Sequence, residues 1–78
     1  MLFKISYMSE THLLSPADQL KFEELVEFIQ NMFKDLPETF VLTYFDSDQD
    51  EICLSCQGDM EMLQCQPIEK VQIQISTE

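Results

Sequence analysis

Between residues 22 and 33 the apolar side chains Phe22, Leu25, Val26, Ile29, Met32 and Phe33 recur at spacings of three and four. That period gathers them into one stripe on a helix, and a striped helix must lay its apolar side against a second layer. It is the strongest helical period in the chain, so the fold is organised around what covers it. Glu23, Glu24 and Glu27 fall on the opposite side and read as a solvated face. Pro37 closes the segment, because the residue before a proline, here Leu36, is pushed out of helical geometry. Upstream, Ser15-Pro16-Ala17-Asp18 also has the marks of a helix start, a capping Ser followed by Pro at the first position.

Much of the rest of the chain reads at a period of two. Leu2 to Tyr7 sets Phe3, Ile5 and Tyr7 on one side and Lys4 and Ser6 on the other, a half-buried strand that displays Lys4 outward. Met8-Ser9-Glu10 follows as a hairpin turn, without an Asn-Gly or Asp-Gly signal, and Thr11 to Leu14 returns. Phe40 to Phe45 is the most apolar run and is expected at the centre of the sheet; Glu51 to Ser55 is a short fourth strand with Ile52 and Leu54 turned inward. Gln57 to Gln64 supplies one or two helical turns, stopped by Gln66-Pro67. Lys70 to Ser76 then alternates, with Val71, Ile73 and Ile75 inward and Gln72 and Gln74 outward. The order is ββαββ(α)β, an α+β fold in which one main helix packs across a mixed sheet.

Between the third strand and the second helix the charge becomes lopsided. Asp46, Asp48, Asp50 and Glu51 fall within six positions, and Asp59 and Glu61 follow after an apolar run. Carboxylates held this close repel one another, so the pattern points to a cation, to a cationic partner, or to a merely solvated turn. A calcium loop begins Asp-x-Asp-x-Asp, but it wants Gly at its sixth position and a bidentate Glu at its twelfth. Counting from Asp46 those places hold Glu51 and Gln57, and the preceding flank is a strand, not a helix. A calcium-binding regulator using Asp46, Asp48 and Asp50 therefore stands as the lesser alternative, and no metal site is assigned.

The stretch Tyr44 to Glu61 resembles the acidic motif of the Phox-and-Bem-one (PB-one) domain. It has a strand ending Tyr-x-Asp, acid-x-acid, a turn residue, another acid, a short strand and a second acidic pair opening a helix. The element order of the whole chain agrees with that family. The resemblance implies a ubiquitin-like β-grasp over residues 1–78 as a single interaction domain, with the main helix starting near Lys21 or Phe22 and residues 15–20 as loop. It also implies that Asp46, Asp48, Asp50, Glu51, Asp59 and Glu61 form an acidic face receiving Lys and Arg from the basic face of a partner PB-one domain. The setting it implies is that of a scaffold or adaptor in signalling or selective autophagy. The family usually carries Gly between the second and third acids, where this chain has Gln49. If that residue must take a positive φ, Gln costs roughly 1 kcal/mol relative to Gly.

Phe3-Lys4-Ile5-Ser6-Tyr7 resembles the segment whose Lys serves the basic form of the same family. If Lys4 docks into a partner's acids, the domain has two faces and can assemble head to tail into a homo-oligomer that does not close by twofold symmetry. Against this, Thr11 to Leu14 lacks the supporting Arg or Lys of a basic face, and a solvated strand Lys is the plainer account.

Composition narrows the partners. Fifteen acidic residues against four lysines, a net charge of −11, repel nucleic acid and anionic membrane and suit a cationic protein surface. No apolar run approaches the roughly 18 residues needed to span a bilayer, and the N-terminus lacks a signal-peptide pattern; a cytoplasmic setting is expected. Cys53, Cys56 and Cys65 are an odd count, read as reduced and partly buried thiols. One histidine, His12, and a single Gly, Gly58, leave no catalytic constellation and no phosphate loop, so neither enzyme activity nor a cofactor is expected. The ending Ser76-Thr77-Glu78 lacks the Gly-Gly tail of a covalent ubiquitin-like modifier.

Overall fold

The computed structural model describes residues 1–46, 48–66 and 69–77. Strands β1 (Leu2–Tyr7) and β2 (Glu10–Leu14) form a hairpin, followed by helix α1 (Phe22–Met32). Strands β3 (Val41–Phe45) and β4 (Glu51–Cys53), helix α2 (Gln57–Gln64) and strand β5 (Lys70–Ser76) complete the domain. The five strands make one mixed sheet in the order β2-β1-β5-β3-β4, with β1 and β5 parallel and every other pair antiparallel.

The helical stripe and the alternating strands meet as their periods require. Leu25, Ile29 and Phe33 bury against Phe3, Ile5, Leu42, Tyr44, Val71, Ile73 and Ile75, and Met60 and Leu63 of α2 close the same core. Fully burying a side chain of this size contributes about 1.5–3 kcal/mol, so the core rather than helix propensity holds α1 in place. Residues 15–20 are not helical; α1 begins after Lys21, whose N–H donates to Glu24 Oε1 at 3.0 Å. Two α2 glutamines fix this entry. Gln64 reads the Leu20 backbone at both ends, Oε1 accepting its N–H and Nε2 donating to its carbonyl, each at 2.7 Å. Gln57 Oε1 accepts the Phe22 N–H at 2.7 Å.

Several expectations change. The central strand is β5, flanked by β1 and β3, and not the apolar β3 run. The reason is that α1 covers only one face of the sheet, so a central strand still alternates. On the uncovered face Gln72 of β5 donates to Ser6 Oγ at 2.9 Å, and Val41 and Phe45 of β3 remain exposed. For β3, apolar content therefore fixes neither its position in the sheet nor how many of its faces are covered. Strand β4 stops at Cys53, although Leu54 is buried and its N–H still donates to the Leu42 carbonyl at 2.8 Å. Glu10 belongs to β2, leaving Met8 and Ser9 as a two-residue loop in which Met8 takes a φ of 54°. The three cysteines are free, as expected, but exposed rather than partly buried, since Cys53 lies on the open face of an edge strand and Cys56 and Cys65 flank α2. His12 packs edge-on against Phe33 with ring centroids 4.9 Å apart, a packing role. Helix α2 keeps its expected bounds, while Pro67, expected to stop it, lies outside the described residues.

Candidate protein-interaction site

The acids expected to form one face do two different jobs. Asp46 leaves β3 half-buried and organises the loop to β4. Its Oδ1 accepts the backbone N–H groups of Asp48 and Asp50, each at 2.9 Å. Its own N–H donates to the Asp50 carbonyl at 3.1 Å, and its carbonyl accepts the Gln49 N–H at 3.0 Å. Closing the chain this way puts Gln49 at φ 68°, the left-handed region that a Gly would occupy without a Cβ clash. The consequence is that Asp48 and Asp50 stand exposed on a loop whose backbone is pinned from within, with Glu51 exposed at the start of β4.

Asp59 plays the matching part at α2. Its Oδ2 accepts the Ser55 N–H at 3.0 Å and the Ser55 hydroxyl at 2.9 Å, tying the helix start to the end of β4. Those two hydrogen bonds, the backbone one foremost, hold its carboxyl below the usual carboxylate range. Glu61, two residues on, is exposed. Tyr44 links the two acid groups. The residue is 2 % exposed, and its phenol is pushed up first by burial, then by the Asp59 and Asp46 carboxylates.

Carboxylate oxygens of Asp46, Asp48 and Asp50 lie within 4.8 Å of one another. As a cation cage the group is poorly furnished. Asp46 Oδ1 already accepts two N–H groups, and Gln57, at the twelfth position where calcium wants its bidentate Glu, turns its Oε1 to Phe22.

Lys4 lies elsewhere. Phe3 and Ile5 point into the core, so Lys4 projects from the opposite, uncovered face of β1, with Leu13 and Gln72 as its cross-strand neighbours. One cation on that face was missed by the reading of the sequence. Lys70 opens β5 opposite Leu2, and because Val71, Ile73 and Ile75 point inward it shares the open face with Lys4. The signal was there in the alternation of β5, but only the parallel pairing with β1 brings the two lysines together.

The PB1 domain family model matches residues 1–76. This chain belongs to the PB1 domain family. PB1 domains are protein-interaction modules, not enzymes, and the chain is one such module. Two solved structures share its fold, the ubiquitin-like β-grasp. The AtNBR1-PB1 domain is 20% identical with a TM-score of 0.87, over 100% of this chain and 97% of that one. A cryo-EM structure of the AtNBR1-PB1 filament (L-type) is 22% identical with a TM-score of 0.83, over the same shares of 100% and 97%. No curated protein matches the chain. Among the described residues, no helix is long and apolar enough to cross a membrane.

Proposed function

We propose that residues 1–78 act as one PB1 domain of chiefly acidic type, docking the basic face of a partner PB1 domain as a cytoplasmic scaffold or adaptor in signalling or selective autophagy. The observation that carries this reading is the Asp46-pinned loop, which holds Asp48 and Asp50 out to solvent, with Glu51 exposed at the start of β4. Pinning the backbone lowers the ordering cost when Lys and Arg side chains of a partner arrive. Opposite charges across the contact speed encounter and fix orientation. Asp59 and Glu61 add a second anchoring point, with Asp59 held by Ser55.

Calorimetric titration against a panel of basic-type PB1 domains tests the proposal. The native chain is expected to bind at least one member, more weakly as salt is raised. Asp48→Ala/Asp50→Ala is expected to lose that binding while remaining folded. Unchanged affinity in the folded double variant would remove the acidic face from the function.

A second reading, head-to-tail self-assembly through Lys4, is favoured by the placement of Lys4 on the open sheet face, apart from the loop that bears Asp48 and Asp50. A structural neighbour is described as a filament, which suits this reading. A mass that grows with concentration and returns to monomer on Lys4→Ala is its expected signature.

A further inference from the structure

We propose that Lys70 is the second docking cation of the open sheet face, and that Lys4 and Lys70 together seat the exposed carboxylates of Asp48 and Asp50 from a second copy of this chain. The proposal rests on the docking reading above and supplies what the second strand lacks. Strand β2 offers no cation beside Lys4, only Thr11 and Leu13 on the same face. Strand β5 offers one from the other side. The register sets Lys70 beside Leu2 and Gln72 beside Lys4, so the two lysines are diagonal neighbours on adjacent parallel strands. Strand spacing and rise put their Cα atoms about 8 Å apart, within reach of one carboxylate pair through flexible four-carbon stems.

Three further observations favour the pair as a docking element. Among the described residues the one carboxylate contact of a basic side chain is His12 with Glu10 at 3.3 Å, so neither lysine is held by a described carboxylate. Only four basic residues oppose fifteen acids, and two of the four stand on this face. The receiving carboxylates are of matching scale, with Asp48 and Asp50 oxygens within 4.8 Å of each other. A single Lys would have to bring together two bodies that each carry a net charge of −11, and a second cation at the contact doubles the local attraction. Exposed Leu13, directly across from Lys4, borders the same face and shields the contact from water on one side.

The test isolates one junction. An acid-blocked chain, Asp48→Ala/Asp50→Ala, keeps only its lysine face; a lysine-blocked chain, Lys4→Ala/Lys70→Ala, keeps only its acids. Mixed at about 0.1 M salt, where screening beyond roughly 10 Å damps the general repulsion, they are expected to form a 1:1 complex by calorimetry. Restricting the blocked pair further, Lys70→Ala placed in the acid-blocked chain should weaken that complex about tenfold or more. Lys70→Arg should restore it, and Lys34→Ala, the same charge change off this face, should leave it unaltered. If Lys70→Ala changes nothing while Lys4→Ala abolishes the complex, Lys70 is a solvated lysine and the proposal is overturned with the docking reading intact. If the two blocked chains do not associate although the native chain binds a basic-type PB1 domain, the second copy is the wrong partner and the proposal is again overturned, while the acidic face stands.

Discussion

The acidic end and the lysine face are built by opposite means. At the acidic end everything is local: Asp46 binds the backbone of residues two and four positions on, and Asp59 reaches back four residues to Ser55. On the lysine face nothing is local, since Lys4 and Lys70 come together only because the first and last strands pair in parallel. The acidic end is therefore stiff and prearranged, with two anchoring acids supporting the exposed Asp48, Asp50, Glu51 and Glu61. The lysine face is two long, rotatable side chains on a rigid floor. A stiff acceptor meeting a flexible donor needs little backbone adjustment on either side, and most of the ordering cost falls on the lysine stems.

Separating the anchoring acids from the presenting ones gives the sharpest tests of this contrast. The largest effect is expected for Asp48→Ala/Asp50→Ala, about 2–5 kcal/mol of binding for each desolvated pair, with stability within about 0.5 kcal/mol of native in a urea titration. A double variant that melts early would mean that these acids too are structural. Asp46→Ala should reverse the balance, costing about 1–3 kcal/mol of stability because two backbone N–H groups lose their acceptor, and weakening binding only as the loop loosens. Gln49→Gly should relieve the left-handed backbone and raise stability by roughly 1 kcal/mol, read as a shift in the denaturation midpoint at unchanged slope. No gain there would show that the loop already tolerates the Cβ.

The smallest effect concerns Asp59. Its carboxyl is held below its ordinary value of 3.8 by the Ser55 hydrogen bonds, so its contribution is present above that pH and is lost as pH falls through the lower folded value. The Ser55 amide, followed by NMR as acid is added, should keep its hydrogen-bonded shift below pH 3.8 and then release it; release at the ordinary value would show the bond is absent in solution. Tyr44 behaves oppositely. Raised by burial and then by the two carboxylates, its stabilising share is present below its ordinary value of 10.0 and is lost as pH climbs from there through the raised folded value.

Periodicity made the layers legible. Leu25, Ile29 and Phe33 of the helical stripe and Val71, Ile73 and Ile75 of β5 are buried as read, while Phe22, Val26 and Met32 are only partly covered, because burial of one face is written at every third, fourth or second residue. The acidic motif was legible too, being contiguous, and so was the strain at Gln49, since the residue stands where a Gly is usual. Strand order was not, because pairing depends on contacts between distant segments that leave no mark on either one. β3 was expected at the centre on its apolar content alone, and Lys70 escaped notice because its pairing beside β1 shows in neither segment. The division of labour among the acids was also hidden, since Asp46 and Asp48 are the same residue type and only the backbone path decides which one accepts N–H groups.

The parallel partnership of β1 and β5 bears on how the domain carries load. Five register pairs, Leu2 with Lys70 through Ser6 with Gln74, run side by side at the middle of the sheet. Because these strands point the same way, the start of one and the end of the other lie at opposite ends of the seam. Tension between Met1 and Thr77 must slide the strands past each other and break the seam as a block, whereas an antiparallel pair held at one end would peel bond by bond. A protein-interaction module of this build meets a pull along its own chain in shear.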